Sequence, residues 1–191
     1  MTLIIGTALS VLSLNMFLPS LPGIAETYGV DYALANLSVA GYLAISAVLQ
    51  LLMGPLSDRY GRRPVMLVCC VLFLLASIGC AFATNIWSFL VFRLLQGSII
   101  SAQVISRAVI RDMFPPSEAA SKLGYIGMIM AAAPMMGPMI GGALDMAFGW
   151  RAGFWLYSGL GVLVLALVWG DMGETNTSRS ATFRAQMRLY P

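Results

Sequence analysis

The sequence contains no histidine and few charged residues. Of its 191 residues, 10% are charged and 59% are hydrophobic, whereas about a quarter of a typical soluble domain is charged. Without histidine the chain lacks the commonest general base and the commonest metal ligand, and no cluster of cysteines or carboxylates replaces it. We therefore expect no metal and no cofactor, and we reject an intramembrane enzyme, for which a Gly-x-Ser-x-Gly stretch is also missing.

Cysteine is scarce as well, and its three copies lie close together. Cys69, Cys70 and Cys80 all fall inside one long apolar run. Buried thiols behave as small apolar groups. We therefore predict no disulfide and no redox role for them.

Long apolar runs are what the sequence does contain. Six of them occur, at residues 3–21, 37–56, 65–83, 87–110, 123–144 and 154–170. Each is about 17 to 24 residues long, and about 20 helical residues cross the hydrocarbon core of a bilayer. They predict an all-α membrane protein whose six-helix bundle occupies residues 1–170. A cleaved signal peptide is the alternative for the first run, although no basic segment precedes it.

The basic residues are distributed unevenly between the two sides of this predicted bundle. Arg151 lies alone on one side, and Arg93 lies within the fourth run. The rest flank the even-numbered runs on the other side: Arg59, Arg62, Arg63, Arg107, Arg111, Lys122, Arg179, Arg184 and Arg188. The positive-inside rule therefore places both termini in the cytoplasm. Because the charge follows membrane topology, the net charge of +3 indicates a lipid bilayer as partner and no nucleic acid.

Residues 171–191 form a polar tail after the sixth run. We interpret this tail as a cytoplasmic linker towards a further part of the protein. A short amphipathic helix around Phe183 and Met187 is expected within it.

Two stretches of the sequence echo each other. The first is "GPLSDRYGRRP" at residues 54–64, after the second run, and the other is "GGALDMAFGWRAG" at residues 141–153, after the fifth. The matched positions are Asp58 with Asp145, Gly61 with Gly149 and Arg63 with Arg151. The two stretches lie on opposite sides of the membrane, so they predict two inverted three-helix repeats, an architecture of secondary transporters.

The 54–64 stretch concentrates charge at a membrane edge. Setting the topology explains its arginines, Arg59, Arg62 and Arg63, but neither its carboxylate nor its glycines. Gly54 permits close helix approach, and Gly61 permits a turn with positive φ. A carboxylate among arginines predicts an ion-pair latch that forms in one conformation and breaks in another, with Asp58 as its acid and Asp112 as a second acidic partner.

A polar stripe runs along the fourth run. Arg93, Gln96, Gln103 and Arg107 fall within about 80° of one helix face. We predict that this face lines a central cavity, since a polar stripe avoids lipid. The alternatives are that Arg93 extends to the membrane interface and that the glutamines join helices by hydrogen bonds. Further candidates for the cavity wall are Asn15 and Pro19, and Tyr42, Ser46 and Gln50.

The fifth run carries a ridge of small residues, Ala133, Gly137 and Gly141. The ridge permits close packing, and Pro134 and Pro138 permit a bend. Packing within this bundle is one use for it. Several methionines of the same run suit a pliable ligand pocket or ordinary membrane filling: Met128, Met130, Met135 and Met136.

Taken together, these motifs resemble those of the major facilitator superfamily. Its loop 2–3 signature is matched at Gly54, Leu56, Asp58, Arg59, Gly61, Arg62 and Arg63. Its "RxxQG" element is matched at Arg93, Gln96 and Gly97. "GPMIGG", with Gly137, Pro138, Gly141 and Gly142, resembles the helix 5 element of its drug–proton antiporters. "NMFLPSLP", "RDMFPP" and "GET" are similar to the Bcr/CflA drug-resistance subgroup.

The resemblance implies twelve spans in two six-helix halves, of which this chain supplies the first. It implies alternating-access export of small amphipathic antibiotics, chloramphenicol- or bicyclomycin-like, in exchange for protons across a bacterial inner membrane. It also implies that the glycine ridge contacts the second half. The subgroup usually has Asp at the position of Asn15, so we expect the proton site in the second half, with Glu26 as runner-up. A transport-inactive half or an assembly module is the alternative.

Overall fold

The computed structural model describes residues 2–173, which form eight α-helices and two short 3₁₀ turns. In chain order α1 to α8 are Thr2–Asn15, Leu21–Tyr28, Tyr32–Tyr60, Arg62–Phe82, Ile86–Gln96, Ile100–Met113, Pro116–Phe148 and Arg151–Asp171. The 3₁₀ turns are Leu18–Ser20 and Gly97–Ile99. Helix α8 extends one residue into the predicted linker, and the amphipathic helix expected around Phe183 lies outside the described residues.

These helices form six segments that are long and apolar enough to cross a membrane. The first, span 1, joins α1 and α2, and span 4 joins α5 and α6; spans 2, 3, 5 and 6 are α3, α4, α7 and α8. The predicted all-α membrane protein with six transmembrane helices is confirmed. Every span is longer than its apolar run because the polar residues that flank each run continue the helix.

Two of the spans are interrupted, one at prolines and the other at a close contact between spans. Between α1 and α2, Pro19 and Pro22 lack the N–H that would continue the helical ladder, and the chain forms the turn Leu18–Ser20 there. In span 4, a Cβ added at Gly97 would lie 2.7 Å from Cγ2 of Ile45, so span 2 approaches closely where the turn Gly97–Ile99 begins. Both breaks lie beside the polar residues considered below.

The predicted inverted repeat is present in the structure. Helices α3 and α7 both end at a glycine with positive φ, 101° at Gly61 and 80° at Gly149. Each glycine N–H donates back to the preceding turn, to the carbonyl of Ser57 and of Asp145 respectively. The residues of the echo therefore form the same helix end and tight turn twice.

The third helices of the two repeats cap each other. Arg63, near the start of α4, donates from Nη2 to the carbonyl oxygen of Trp169, near the end of α8, at 2.7 Å. Arg151, at the start of α8, donates from Nε to the carbonyl oxygen of Ala81, near the end of α4, at 3.1 Å. The last carbonyls of a helix lack partners within it. The antiparallel pair α4–α8 is thus closed at both ends by matching arginines.

An aromatic cluster packs spans 1, 4 and 6 together. Phe89 lies 5.6 Å from Phe154 and 5.7 Å from Trp150 between ring centroids, both edge to face. Phe17 stacks on Phe89 at 6.1 Å. Such contacts hold membrane helices together, because lipid provides no hydrophobic drive between them. The cluster also fixes Phe17 beside the buried arginine of span 4.

Among the described residues, spans 2 and 5 are the spans least covered by the other helices. In the most apolar 18-residue stretch of each, only 22% and 17% is buried, against 61% in span 4. Their apolar side chains face outward along most of their length. The six-span bundle therefore leaves two long faces that the described residues do not cover.

Candidate functional sites

The 54–64 stretch is organised around Arg62, the first residue of α4. Its Nη2 lies 2.7 Å from Oδ1 of Asp58 and 3.3 Å from Oδ2 of Asp112. Its Nη1 also donates to Oγ of Ser57 at 2.7 Å. The guanidinium is largely buried, whereas both carboxylates are partly exposed. Arg62 therefore ties the end of span 2 to the end of span 4, and the structure brings together three residues that the latch hypothesis grouped.

The two other arginines of this stretch take no part in the ion pairs of Arg62 given above. Arg59 is exposed, with its guanidinium 5.1 Å from the ring centroid of Tyr60, and Arg63 caps α8. Gly61 has the expected positive φ. The expected close approach at Gly54 is not found among the described residues, because nothing beyond the adjoining backbone of its own helix lies within 4 Å of a Cβ placed there. Gly54 lies instead on span 2, one of the two uncovered spans.

Arg93 lies inside the bundle with its side chain fully buried. Its Nη2 donates to the carbonyl oxygen of Ser13 at 2.8 Å, and its Nη1 donates to Oε1 of Gln96. The guanidinium carbon lies 4.1 Å from the ring centroid of Phe17 and 4.5 Å from that of Tyr42. The two rings provide cation–π contacts. Arg93 thus neither lines an open cavity in this structure nor extends to the interface.

Gln96 and Tyr42 complete a polar network that crosses four helices. Nε2 of Gln96 donates to Oγ of Ser77 on α4 at 2.7 Å. Oγ of Ser13 on α1 lies 2.6 Å from the hydroxyl of Tyr42 on α3. Gln96 and Ser77 are fully buried and Tyr42 nearly so. Gln96 therefore joins two helices by a hydrogen bond, as the alternative interpretation expected. The expected cavity-lining position of Gln96 and Tyr42 is not observed.

The polar stripe of span 4 divides at the 3₁₀ turn. Gln103 and Arg107 both donate to Sδ of Met130 on α7, at 3.1 and 3.2 Å. Arg93 and Gln96 instead face α1 and α4. A 3₁₀ turn advances about 120° per residue rather than about 100°, so three such residues rotate the helix face by roughly 60°. The sequence-based stripe assumed one uninterrupted α-helix and missed this rotation.

The glycine ridge of α7 packs against α1 within this half. A Cβ added at Gly141 would overlap the backbone of Met16, and one at Gly137 would lie 2.7 Å from Cβ of Asn15. The implied contact with a second half is therefore wrong for these two glycines, because α1 already occupies the space that they leave. Pro138 and Gly142 are half-buried beside them.

Asn15 lies at this crossing and is half-buried. Its amide donates to the carbonyl oxygen of Val11 at 2.8 Å, within its own helix. Its neighbour across the crossing is Gly137. The side chain is therefore held against α7, with part of its surface uncovered by the described chain.

Sequence reasoning missed Ser13, Phe17 and Ser77, which hold the buried polar network in place. Serine and phenylalanine are ordinary residues of membrane helices, and none of the three carries a charge. One signal was present: a fully buried arginine needs acceptors on neighbouring helices. That requirement predicts partners without saying which residues they are.

Two inverted three-helix repeats, with spans broken beside buried polar groups, define a secondary-transporter architecture. The chain belongs to the Major Facilitator Superfamily, whose family model matches residues 3–187. The sequence predicted a transporter family rather than an enzyme family, and this membership confirms that prediction.

Similar proteins include several with drug-resistance names. The chloramphenicol resistance protein of Pseudomonas aeruginosa is 36% identical over 186 residues, which cover 96% of this chain and 44% of that protein. The multidrug resistance protein MdtM of Escherichia coli is 30% identical over 190 residues, covering 99% of this chain and 46% of MdtM. The chain therefore spans about half the length of the curated relatives it matches.

Solved structures with the same fold are also transporters. The human organic anion transporter MFSD10 matches with a TM-score of 0.76 and 25% identity, over 95% of this chain and 49% of that one. The proton:xylose symporter XylE matches with a TM-score of 0.79 and 16% identity, over 91% of this chain and 44% of that one. These likenesses fit a six-helix half of a longer transporter fold.

Proposed function

We propose that this chain forms the first half of a proton-driven exporter of small amphipathic antibiotics. The carrying observation is the 36% identity to a chloramphenicol resistance protein along 96% of the chain. The proposed substrates are chloramphenicol-like or bicyclomycin-like molecules. The proton gradient supplies the energy, and no cofactor takes part.

The proposed mechanism is alternating access, in which two halves rock about a site between them. Helices α3 and α7 leave long faces uncovered, and these are the surfaces offered to the second half. Arg62 acts as the latch in the outward-open state because it links spans 2 and 4 through Asp58 and Asp112. Partly exposed ion pairs contribute about 0.2–1 kcal/mol each, an energy small enough for substrate binding to overcome.

The proposed location is a bacterial inner membrane with both termini in the cytoplasm. The positive-inside asymmetry of the basic residues supports this orientation. The relatives in Pseudomonas and Escherichia support the membrane type. In this orientation the Arg62 latch faces the cytoplasm.

The test uses the full-length protein in inverted membrane vesicles. A proton gradient imposed across the vesicle membrane is expected to drive radiolabelled chloramphenicol into the vesicles. A protonophore is expected to abolish this uptake. Vesicles that carry an Arg62→Ala variant provide the comparison for the latch. Uptake that is unaffected by the protonophore would contradict proton coupling, and no uptake above empty vesicles would contradict drug export.

A transport-inactive half or assembly module is the second candidate. The specific observation in its favour is that the other described residues leave spans 2 and 5 mostly uncovered. A half with two such faces needs a partner before it encloses a substrate site.

A further inference from the structure

Span 5 carries a stripe of methionines along its outer face. Its four members are between 59% and 93% exposed: Met128, Met135, Met139 and Met146. At about 100° per residue, they fall within about 40° of one another around α7. The methionine stripe therefore follows the helix axis, on the long face that the other described residues leave uncovered.

The stripe lies opposite the ridge of small residues that packs on span 1. By the same rotation, Ala133, Gly137 and Gly141 are centred about 180° from the methionines, and all three are buried. One face of α7 thus closes against α1 inside this bundle, and the methionine face points directly away from it. A partner that packs on the outer face of span 5 meets methionines rather than glycines.

The composition of this face differs from that of spans 3 and 6. Five of the six exposed methionines among the described residues lie on α7, and α7 exposes no valine, leucine or isoleucine. The exposed large apolar residues of spans 3 and 6 are instead branched or aromatic: Val68, Val71, Leu72, Leu75, Phe82, Trp155, Val162, Leu163 and Trp169. Contact with lipid requires no methionine, so lipid does not account for the stripe.

The length of the stripe indicates what covers it. Met128 and Met146 are 18 residues apart, which is about 27 Å along a helix and close to the roughly 30 Å of a hydrocarbon core. A drug-sized pocket of about 300–1,000 Å³ is only about 7–10 Å across. The repeat of the stripe is that of the a and d positions in a seam between two helices. A helix that crosses the membrane beside span 5 therefore covers the whole stripe, whereas a bound drug covers only part of it.

The chain spans about half the length of its curated relatives, so the second half of the protein supplies helices of this kind. We infer that the methionine stripe is a sliding contact with one helix of the second half, along which the two halves move during alternating access. The inference rests on the proposed exporter function and adds to it the residues that ease the rocking motion.

Methionine suits a contact that changes its packing. Its side chain is unbranched and rotates about three bonds, so it fits more than one arrangement of neighbouring atoms. A β-branched side chain has few rotamers and fits one set of holes in a facing helix. The methionines therefore keep the barrier between two packings low. The stripe acts on the rate of the conformational change and not on the affinity for the substrate.

The first experiment determines what covers the stripe. Nitroxide labels are attached to Met135→Cys and, as the matched control, to Leu75→Cys on the exposed face of span 3, in full-length protein whose other cysteines are replaced. Electron paramagnetic resonance in proteoliposomes measures how often each label collides with dissolved oxygen. Because oxygen dissolves in lipid, we expect severalfold fewer collisions at residue 135 than at residue 75. Met139→Cys takes the place of Met135→Cys if that variant does not fold.

Equal collision rates at the two positions would overturn the inference. Protection of residue 135 that disappears when the protein is diluted in lipid would overturn it as well, because it would assign the stripe to a contact between two copies of the protein. Protection that survives dilution supports the contact with the second half.

The second experiment determines whether the contact slides. The double variant Met135→Ile/Met139→Ile keeps the seam apolar and makes it stiffer. Its turnover of chloramphenicol in the full-length protein is expected to fall by about threefold or more, and its Kd for chloramphenicol to stay within about twofold. The matched control, Leu72→Ile/Leu75→Ile on span 3, is expected to transport like the wild type. Met135→Ile alone is measured if the double variant does not fold.

Unchanged turnover in a folded isoleucine variant would overturn the sliding contact. A weaker affinity with unchanged turnover would assign the stripe to drug binding and overturn it too. A wild type that moves no chloramphenicol contradicts the exporter function itself, and the oxygen measurement still tests the contact with the second half.

Discussion

Oδ2 of Asp112 lies 3.3 Å from Nε of Arg62, although 50 residues separate them in sequence. The same guanidinium binds Asp58, four residues before it. Two carboxylates on different spans thus share one cation. Movement of span 2 relative to span 4 must break at least one of these pairs, which makes the shared cation sensitive to the conformation of the bundle.

We predict that Asp58→Asn leaves membrane insertion intact and reduces drug efflux severalfold. Arg62 retains Asp112, so the bundle still assembles, but the contact to the end of span 2 is weakened. Efflux from cells with matched protein levels measures the effect. Glu118→Gln, an exposed acid in the first turn of α7, is the control and is expected to behave as wild type. Normal efflux by Asp58→Asn would leave the stretch a topology signal only.

The two acids are expected to be coupled. Asp58→Asn and Asp112→Asn each remove one partner of Arg62. The free energy of unfolding lost by the double variant should therefore differ from the sum of the two single losses by about 0.5 kcal/mol or more. Thermal unfolding of the purified full-length variants gives these differences. Strict additivity would show that Arg62 does not connect the two acids energetically.

Gly141→Ala is predicted to destabilise the protein by about 1–3 kcal/mol. The added methyl group would overlap the backbone of Met16, which has no alternative rotamer to adopt. The control is Gly153→Ala on α8, where nothing lies within 4 Å of the added Cβ. Melting temperatures of the two purified variants provide the comparison. Equal stability would mean that α1 and α7 are further apart than the structure shows.

Residues 1–191 expressed alone are predicted to insert into the membrane but to move no substrate. The uncovered faces of spans 2 and 5 should then make the fragment dimerise or aggregate, since membrane helices bury such faces by packing. Size-exclusion chromatography in detergent and chloramphenicol efflux assays check both parts. Efflux by the fragment at the rate of the full-length protein would refute the half-transporter function.

The proton site is predicted to lie outside this half. Proton exchange needs a group that gains and loses a proton within the cavity, whereas the described acids lie at helix ends and Asn15 cannot titrate. Substrate-induced proton release from proteoliposomes of the full-length protein is expected to survive Glu26→Gln. It is expected to disappear when an acid of the second half is neutralised. The reverse pattern would place the site at Glu26.

The sequence was sufficient for the features that depend on composition and local conformation. Runs of apolar residues predicted the six spans, and the Asp–Gly–Arg echo predicted two helix ends with the same turn, as Gly61 and Gly149 show. The partners of the buried groups were not predictable in the same way. Glycines at 137 and 141 indicate that something approaches closely, but only the three-dimensional arrangement identifies α1.

Arg93 illustrates the other reason for error. Its assignment to a cavity wall assumed about 100° per residue along an unbroken helix. The 3₁₀ turn Gly97–Ile99 and the bend of span 1 change which faces meet. The turn arises from a tertiary contact at Gly97. The bend arises from prolines, whose effect on helix direction depends on the neighbouring spans.

The mutual capping by Arg63 and Arg151 has a consequence for the order of assembly. The acceptor of Arg63 lies 106 residues further along the chain, so the first repeat cannot complete its own bonds while the ribosome is still making the second. At about 5–20 residues per second, span 3 waits about 5 to 20 seconds in the translocon or in lipid for its counterpart. During that interval the nascent protein presents an unfinished helix pair to chaperones and proteases. Arrival of span 6 supplies the missing acceptor and the second arginine, so both ends of the pair are closed only then.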